Sequence, residues 1–536
     1  MMRCLSLWLP HLATDRLARR KAPYPRDCAH SIRAPLATPL ATWTKIKGAQ
    51  RLASLDARAQ AAGLRIAMTL ADARAIMPDL EIAEADASAE AGLLAAIADW
   101  CRRFTPLAGL DAPDGVLLDV SGSAHLFGGE RALLTEIIAA LQAQGFAARA
   151  ALAGNPALAW ALARFAEMTF VPADVGERDL HMLVADLPVA ALRIEAETIA
   201  ALAQAGLRRI GDLLMRPRAP IAARFGADLV ARLDAIFGRR GDPLSPRFET
   251  PAYLVERRFA EGIARREDIE ATISGLAHEL CALLERHDEG AREIDVSLFR
   301  VDGVVKHLST GTSRPLRDPK LVARLFRERI EAAGEEGLDT GYGFDVVRLA
   351  AIRVERASMP QSALTIEAAA SGADHSADLA DLIDRLGARL GWRRVLRFEQ
   401  QETHIPEFAV AAIPAAQTRG RVKNNSDPKL PFSASANLLP TRPLKLLDPP
   451  EPIEAIAAVP DSPPAKFRWR RVWHDISAIE GPERIAPEWW KHEQPALTRD
   501  YFRAEDSCGQ RFWLFREGLY TTETVEPRWF LHGLFG

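Results

Sequence analysis

Asp114-Gly115-Val116-Leu117-Leu118-Asp119-Val120-Ser121 is a short apolar run bracketed by carboxylates, and its reading, with that of Leu5-Ser6-Leu7-Trp8-Leu9-Pro10 at the N-terminus, decides the fold. Apolar runs this short, closed off by Gly, Asp or Pro, suit buried strands better than helices. Outward from them, residues 1–20 read as a strand and then a helix from about Leu12 to Arg20. Residues 21–48 are Pro-, Ala- and Thr-rich, with short strand-like runs. Ser54–Ala62 and Leu70–Ile76 read as helices, separated by Gly63-Leu64-Arg65-Ile66-Ala67-Met68. An amphipathic helix spans about Ser88–Arg103, with Leu93, Leu94, Ile97, Trp100 and Cys101 near helical spacing. Val116–Val120 is a strand, Arg131–Gln144 a helix and Ala147–Ala153 a strand. This rhythm predicts a split βαβ layer.

From Asp179 to Arg239 the pattern is helical throughout, with glycines at 206, 211, 226 and 238. A linker at Gly241–Pro251 leads to a second α/β unit over 252–356. Its expected elements are a helix at Arg266–Arg286, strands at Glu293–Arg300 and Val304–Ser309, a helix at Lys320–Glu331 and a strand at Val346–Val354. Residues 405–466 hold twelve prolines and read as a largely extended linker. The tail from Phe467 carries six of the eleven tryptophans, too many for disorder, and predicts a small β-rich module.

With 536 residues the chain has room for about three or four domains. Its net charge of −3 excludes a uniformly basic nucleic-acid coat, so any DNA contact must come from a local patch. Cys4, Cys28, Cys101, Cys281 and Cys508 are scattered without a C-x-x-C pair, which disfavours a disulfide framework or zinc site and suits a reducing cytoplasm. Leu5–Leu9 is too short for a membrane span and no signal-peptide pattern follows it. The expectation is a cytoplasmic protein without a membrane partner.

Several motifs, in order, carry a family resemblance. Asp114–Ser121 resembles D-E-x-x-L-D-[VI]-[ST], and Gly63–Met68 resembles G-[VI]-R-S-x-M. Asn155-Pro156-Ala157-Leu158-Ala159 resembles N-K-x-L-A-K, and Leu202–Leu213 resembles L-x-x-x-G-I-x-T-I-G-D-L. Together they identify the chain, over about residues 3–356, as similar to the Y-family DNA polymerases. Within that superfamily it resembles the polymerase-like accessory proteins of bacterial mutagenesis cassettes. The implied fold is an α+β right hand: palm (1–20 and 79–170), fingers (21–78), helix-hairpin-helix thumb (171–240) and little finger (250–356). A clamp-motif linker and helix (357–404), a Pro-rich linker (405–466) and a Trp-rich interaction module (467–536) would follow.

The departures from that pattern concern chemistry. Two-metal phosphoryl transfer needs carboxylates holding two cations roughly 4 Å apart. Alignment of the opening strand puts Trp8 at the first metal aspartate, and Asp114 survives at the second site beside Gly115. Ala57 and Gln60 stand where the family has a Tyr and an Arg for the triphosphate, while Pro156 and Trp160 replace two lysines. The resemblance thus implies a non-catalytic homologue without metal or cofactor, acting in damage-induced mutagenesis. The alternative is an active translesion polymerase in which Asp15, Asp111 or Asp119 takes over a metal-ligating role. Asp119 also suits a structural role.

Binding residues follow from the same reading. Gly206 at the hairpin turn, with Arg208 and Arg209, is expected to meet a DNA phosphate through backbone N–H groups and charge. Residues 291–330 hold nine Lys or Arg against five acids, and Arg314, Arg317 and Lys320 fall in an expected loop suited to the DNA backbone. Gln361, Leu364 and Ile366 resemble a degenerate sliding-clamp peptide. The implied partners are primer-template DNA, a sliding clamp, an error-prone replicative-type polymerase and a RecA-like accessory protein. The tail resembles the extension of the mutagenesis-cassette proteins, as does Arg442–Leu447.

Overall fold

A computed structural model describes residues 2–21, 38–241, 244–357, 373–416, 442–457, 459, 462–488, 490 and 497–536. The chain divides into two compact units, 1–392 and 393–536. In the first, β1 (Cys4–Trp8) leads into α1 (Leu12–Lys21). The fingers follow as β2 (Leu40–Ile46), β3 (Ala49–Leu55), α2 (Ala57–Ala61), α3 (Leu70–Ile76) and β4 (Glu81–Glu84). The strands form one sheet in the order β3-β2-β4, so this layer ends near residue 84 rather than 78. The helix expected over Ser54–Ala62 is shorter: Ser54 and Leu55 end β3, and the helix runs Ala57–Ala61. Asp56 sets the boundary, accepting from the Ala59 N–H at 2.7 Å as N-cap and from the Leu40 N–H at 2.9 Å.

The palm resumes with α4 (Ala87–Cys101), β5 (Ala108–Asp111), β6 (Gly115–Asp119), α5 (Glu130–Ala143), β7 (Arg149–Ala153) and α6 (Pro156–Phe165). Its antiparallel sheet has the order β5-β6-β1-β7. Strand period two sorts the side chains: Leu5, Leu7, Val116 and Leu118 join a core with α4 and α5 residues, whereas Cys4, Ala151 and Ala153 join one with α6. Trp8 packs with the α6 group. The thumb is α7 (Glu177–Ala185), α8 (Ala196–Gln204), α9 (Ile210–Leu214), α10 (Arg218–Phe225) and α11 (Ala227–Ile236).

The little finger is β8 (Tyr253–Ile263), α12 (Arg266–Arg286), β9 (Glu289–Arg300), β10 (Val305–Leu316), α13 (Pro319–Leu338) and β11 (Phe344–Arg356), with strand order β10-β9-β11-β8. This is the βαββαβ pattern expected. One sheet face packs on α12 and α13 through Ile294, Val296, Leu298, Val347 and Leu349. A further helix, α14 (Ala373–Leu390), covers the β10 edge, where Asp384 accepts the Ser313 N–H at 2.5 Å.

The second unit holds a hairpin, β12 (Leu396–Gln400) and β13 (Val410–Pro414), and six strands closed into a barrel. These are β14 (Lys445–Ala457), β15 (Pro464–Trp469), β16 (Val472–Ile485), β17 (Arg499–Asp506), β18 (Arg511–Glu517) and β19 (Arg528–Leu534). The module therefore begins at Lys445, not Phe467, and the extended linker expected over 405–466 gives way to strand at both ends. Prolines mask β14 because they lack an N–H; the β14–β19 register slips between Leu446 and Glu451, where Pro449 and Pro450 sit. Among the described residues no helix is long and apolar enough to cross a membrane.

Asp15 shows how the palm constrains its own carboxylates. Burial pushes its pKa up to about 6, against the Ala147 N–H that it accepts at 2.8 Å. An acid whose folded pKa is raised favours folding only while protonated, so native stability is lost as pH rises from about 4 through about 6. Asp15→Asn, which can still accept that N–H, should raise unfolding free energy at pH 8 by about 3 kcal/mol. The gain should vanish below about pH 4 in urea titrations.

Candidate nucleic-acid interface and the degenerate metal site

Trp8 and Gly115 lie directly opposite each other in the β1–β6 ladder. The Trp8 indole N–H donates to Asp114 Oδ2 at 2.9 Å, so the two residues singled out in the sequence are joined directly. Arg164, on α6, donates to Asp114 Oδ1 at 3.0 Å and to Asp111 Oδ2 at 3.2 Å. Its guanidinium stacks over Trp160 at 4.4 Å and lies 5.7 Å from the Trp8 ring centre. Arg193 also pairs with Asp111. Burial pulls the Arg164 pKa down while Asp114 and Asp111 push it up, and a guanidinium keeps its proton in any case.

Two carboxylates thus face two fixed cations. A Cβ at 115 would stand 2.8 Å from Asp111 Oδ2, 2.9 Å from Arg164 Nη2 and 3.0 Å from the Asp111 carbonyl, so a glutamate there requires the Asp111 and Arg164 side chains to move. All four oxygens of Asp111 and Asp114 are engaged by Arg164, Arg193 or the Trp8 N–H, an arrangement that does not fit the divalent cations of the fold family. Among the described residues no three His, Cys, Asp or Glu converge as a metal site. Of the alternative carboxylates, Asp15 is tied to Ala147 and Asp119 caps a turn by accepting from the Ser121 N–H and hydroxyl at 2.9 and 2.6 Å. Only Asp111 is brought beside Asp114, and an arginine lies between them. Ala57 and Gln60 are exposed on the short α2, and Pro156 opens α6 behind its N-cap Asn155.

The thumb hairpin corrects one expectation. Gly206 takes a left-handed φ of +76° at the turn, but its N–H donates to the Ala203 carbonyl at 3.1 Å. Leu207 and Ile210 donate to Leu202 and Leu187, and the N–H groups of Arg208 and Arg209 both donate to Asp212 Oδ2 at 2.9 Å. Those two donors hold the Asp212 carboxyl below its ordinary range. Backbone donors 206–210 are spent within the thumb, which leaves side chains for DNA. Arg209 is paired with Asp186 at 3.0 Å, both exposed.

In the little finger, Arg314 lies within β10, whose pairing runs beyond the expected loop boundary to Leu316. Arg317 follows in the turn and Lys320 opens α13. Arg292, Arg300, Arg324 and Arg327 are paired with acids, whereas Lys306, Arg314, Arg317 and Lys320 make no ion pair among the described residues. The second face of this sheet is buried against the palm. Arg348 donates to the Arg102 carbonyl at 2.5 Å and pairs with Glu256, and Arg103 pairs with Asp345 at 2.9 Å. Arg258 stacks on Phe127 at 4.7 Å, and Arg102 on Phe248 at 4.2 Å. The clamp-peptide residues Gln361, Leu364 and Ile366 lie outside the described residues.

Sequence reasoning missed Arg164. The signal was available: it lies four residues after Trp160, on the same helical face, one turn beyond the lost lysine.

The model of the impB/mucB/samB family matches residues 32–164, and that of its C-terminal domain matches 251–367. Protein ImuB from two strains of Caulobacter vibrioides is 39% identical over 488 residues, covering 88% of this chain and 100% of the relative. Among solved structures, DinB from Sulfolobus solfataricus (12% identity, TM-score 0.36) aligns with 66% of this chain and 100% of its own. The insertion ternary complex of Dbh DNA polymerase (13%, 0.36) aligns with 66% and 99%.

Arg164→Ala should leave Asp111 to Arg193 and Asp114 to the Trp8 N–H, so it should destabilise the chain by less than the ~3–5 kcal/mol that loss of one partner from a fully buried pair costs. Urea unfolding should show that loss. Gly115→Glu with Arg164 intact should also destabilise the chain, because the new side chain must displace the Asp111 and Arg164 side chains and adds a carboxylate beside two others.

Proposed function

The chain belongs to the family of Protein ImuB within the Y-family polymerases, and from that premise we propose that it serves DNA-damage-induced mutagenesis by binding DNA without copying it. The observation that carries this reading is Arg164. A guanidinium joined to both carboxylates supplies positive charge where a polymerase needs exchangeable metal ions, and it cannot polarise or activate a primer hydroxyl as a metal does. A triphosphate would also meet Ala57 and Gln60 instead of its basic clamp.

DNA is held by the cations that the fold leaves unpaired, Arg314, Arg317 and Lys320, together with Arg208 at the thumb turn. The Gln361 segment tethers the chain to a sliding clamp, and the C-terminal unit recruits an error-prone polymerase and a RecA-like protein. The family resemblance supports these three partners. A second reading, an active polymerase using Asp111 as a displaced ligand, draws on the proximity of Asp111 to Asp114 alone.

Primer extension decides between them. Purified chain with Mg²⁺ or Mn²⁺ and all four nucleotides should add nothing to a primer, and extension that disappears in Asp111→Ala or Asp114→Ala would overturn the non-catalytic reading. Primer-template binding should persist without metal and weaken with salt. Replacing Arg314, Arg317 and Lys320 with Ala should flatten the plot of log K against log salt by roughly two to three units.

Clamp and partner binding should separate. Ala at Gln361, Leu364 and Ile366 should abolish clamp capture in pull-downs. Deletion of 393–536, which removes the whole second unit rather than cutting β15, should abolish capture of the partner polymerase and leave DNA affinity in place.

A further inference from the structure

The barrel carries a feature that its own stability does not require. Hairpin β15–β16 turns through Arg470 and Arg471, with φ of +46° and +71°. Two-residue turns of this kind favour Asn-Gly, because L-residues are strained at positive φ. Here both strained positions are arginines, on a strand pair reading Lys466-Phe467-Arg468-Trp469-Arg470-Arg471-Val472-Trp473-His474.

Beneath the hairpin the packing is tight. Phe467 is fully buried, stacks on His474 at 4.9 Å and meets Phe512 edge-on at 5.1 Å, while His474 bonds Asp506 at 2.9 Å. The outer face is different. Trp473 is 46% exposed, opposite Arg468 in the ladder, with the Lys466 ammonium 5.4 Å and the Arg468 guanidinium 5.7 Å from its ring centre. Arg468 and Arg470 are tied to Glu454 and Glu451, whereas Lys466 and Arg471 make no ion pair among the described residues.

We propose that this face is a contact for single-stranded nucleic acid, separate from the DNA grip of the polymerase-like unit. The half-exposed indole offers a stacking surface that accepts any base, Lys466 and Arg468 lie against its ring, and Lys466 and Arg471 meet flanking phosphates. A rigid hairpin presents these groups already ordered, so binding has little side-chain entropy to lose. Two cavities of the second unit, one lined by Ile479, Arg503 and Phe535 and one by Ile405, Leu497 and Arg499, are built from other residues.

The test uses the full chain with Arg314, Arg317 and Lys320 replaced by Ala, which removes the little-finger grip. The probes are fluorescein-labelled oligo(dT) of about 20 nucleotides and a fully paired duplex. Trp473→Ala should weaken oligo(dT) binding about fivefold to a hundredfold, the worth of one stacked base, and Trp473→Phe should keep most of it. Lys466→Ala with Arg471→Ala should lower the salt slope by about 1.4, for two phosphates on a single strand. Both sets lie outside the barrel core, so thermal unfolding should not move. Unchanged oligo(dT) affinity in Trp473→Ala overturns the proposal. So does quenching of Trp473 by a poly-glutamate peptide that oligo(dT) fails to displace, which would make the face a protein-docking surface. Failure of the little-finger grip is read separately, from primer-template binding by the chain with an intact hairpin.

Discussion

The palm turns on the guanidinium of Arg164. It joins the β5–β6 turn, through Asp111 and Asp114, to α6, and Arg193 extends the same charge cluster to the thumb. In a two-metal enzyme, carboxylates this close repel one another until cations arrive with the substrate. Here the cation is covalently part of the chain and always charged. The strands keep their register and the β5–β6 turn is tied to α6 by the chain's own charges. Trp8 completes the arrangement by turning the first metal position into a hydrogen-bond donor. Each change accommodates the others: glycine at 115 leaves the space that the guanidinium fills.

A second constraint governs where DNA can be met. The little-finger sheet has one apolar face on its helices and one polar face on the palm. Phe299 and Ser297 on that second face are nearly inaccessible, and Arg348 is held by Glu256 and by main-chain carbonyls of 102 and 103. Arginine suits such a junction, because its planar fork can serve a carboxylate and a carbonyl at once. Arg348 and Arg103 on this face are committed to domain packing, whereas Arg314 at the end of β10 and Lys320 at the start of α13 are exposed.

Local signals made most of the polymerase-like unit legible. The helices at Leu70–Ile76 and Arg266–Arg286 match their expected bounds, because each carries strong 3.6-residue periodicity. The error at Ser54–Ala62 arose where strand pairing with β2, a non-local effect, overrode local helix preference. Prolines hid β14, whose place in the barrel depends on partners far away in sequence. At the site, the losses at Trp8 and Gly115 could be read directly from the motif. The pairing of Asp111 with Arg164 and Arg193 could not, since it spans about 50 to 80 residues and depends on how α6 and the thumb close over the sheet.

Net charge alone misjudges such a chain. With 68 basic and 71 acidic residues it is close to neutral, yet opposite charges cancel only where the fold brings them together. Arg324 is matched by Asp381 and Glu328 by Arg385 and Arg389, so α14 neutralises one flank of α13. Lys306, Arg314, Arg317 and Lys320 make no such ion pair among the described residues. A polyanion exchanges its counterions for protein cations, and a cation already held by a carboxylate gains little in that exchange. The electrostatic footprint is therefore set by the pattern of pairing and not by the sum of charges.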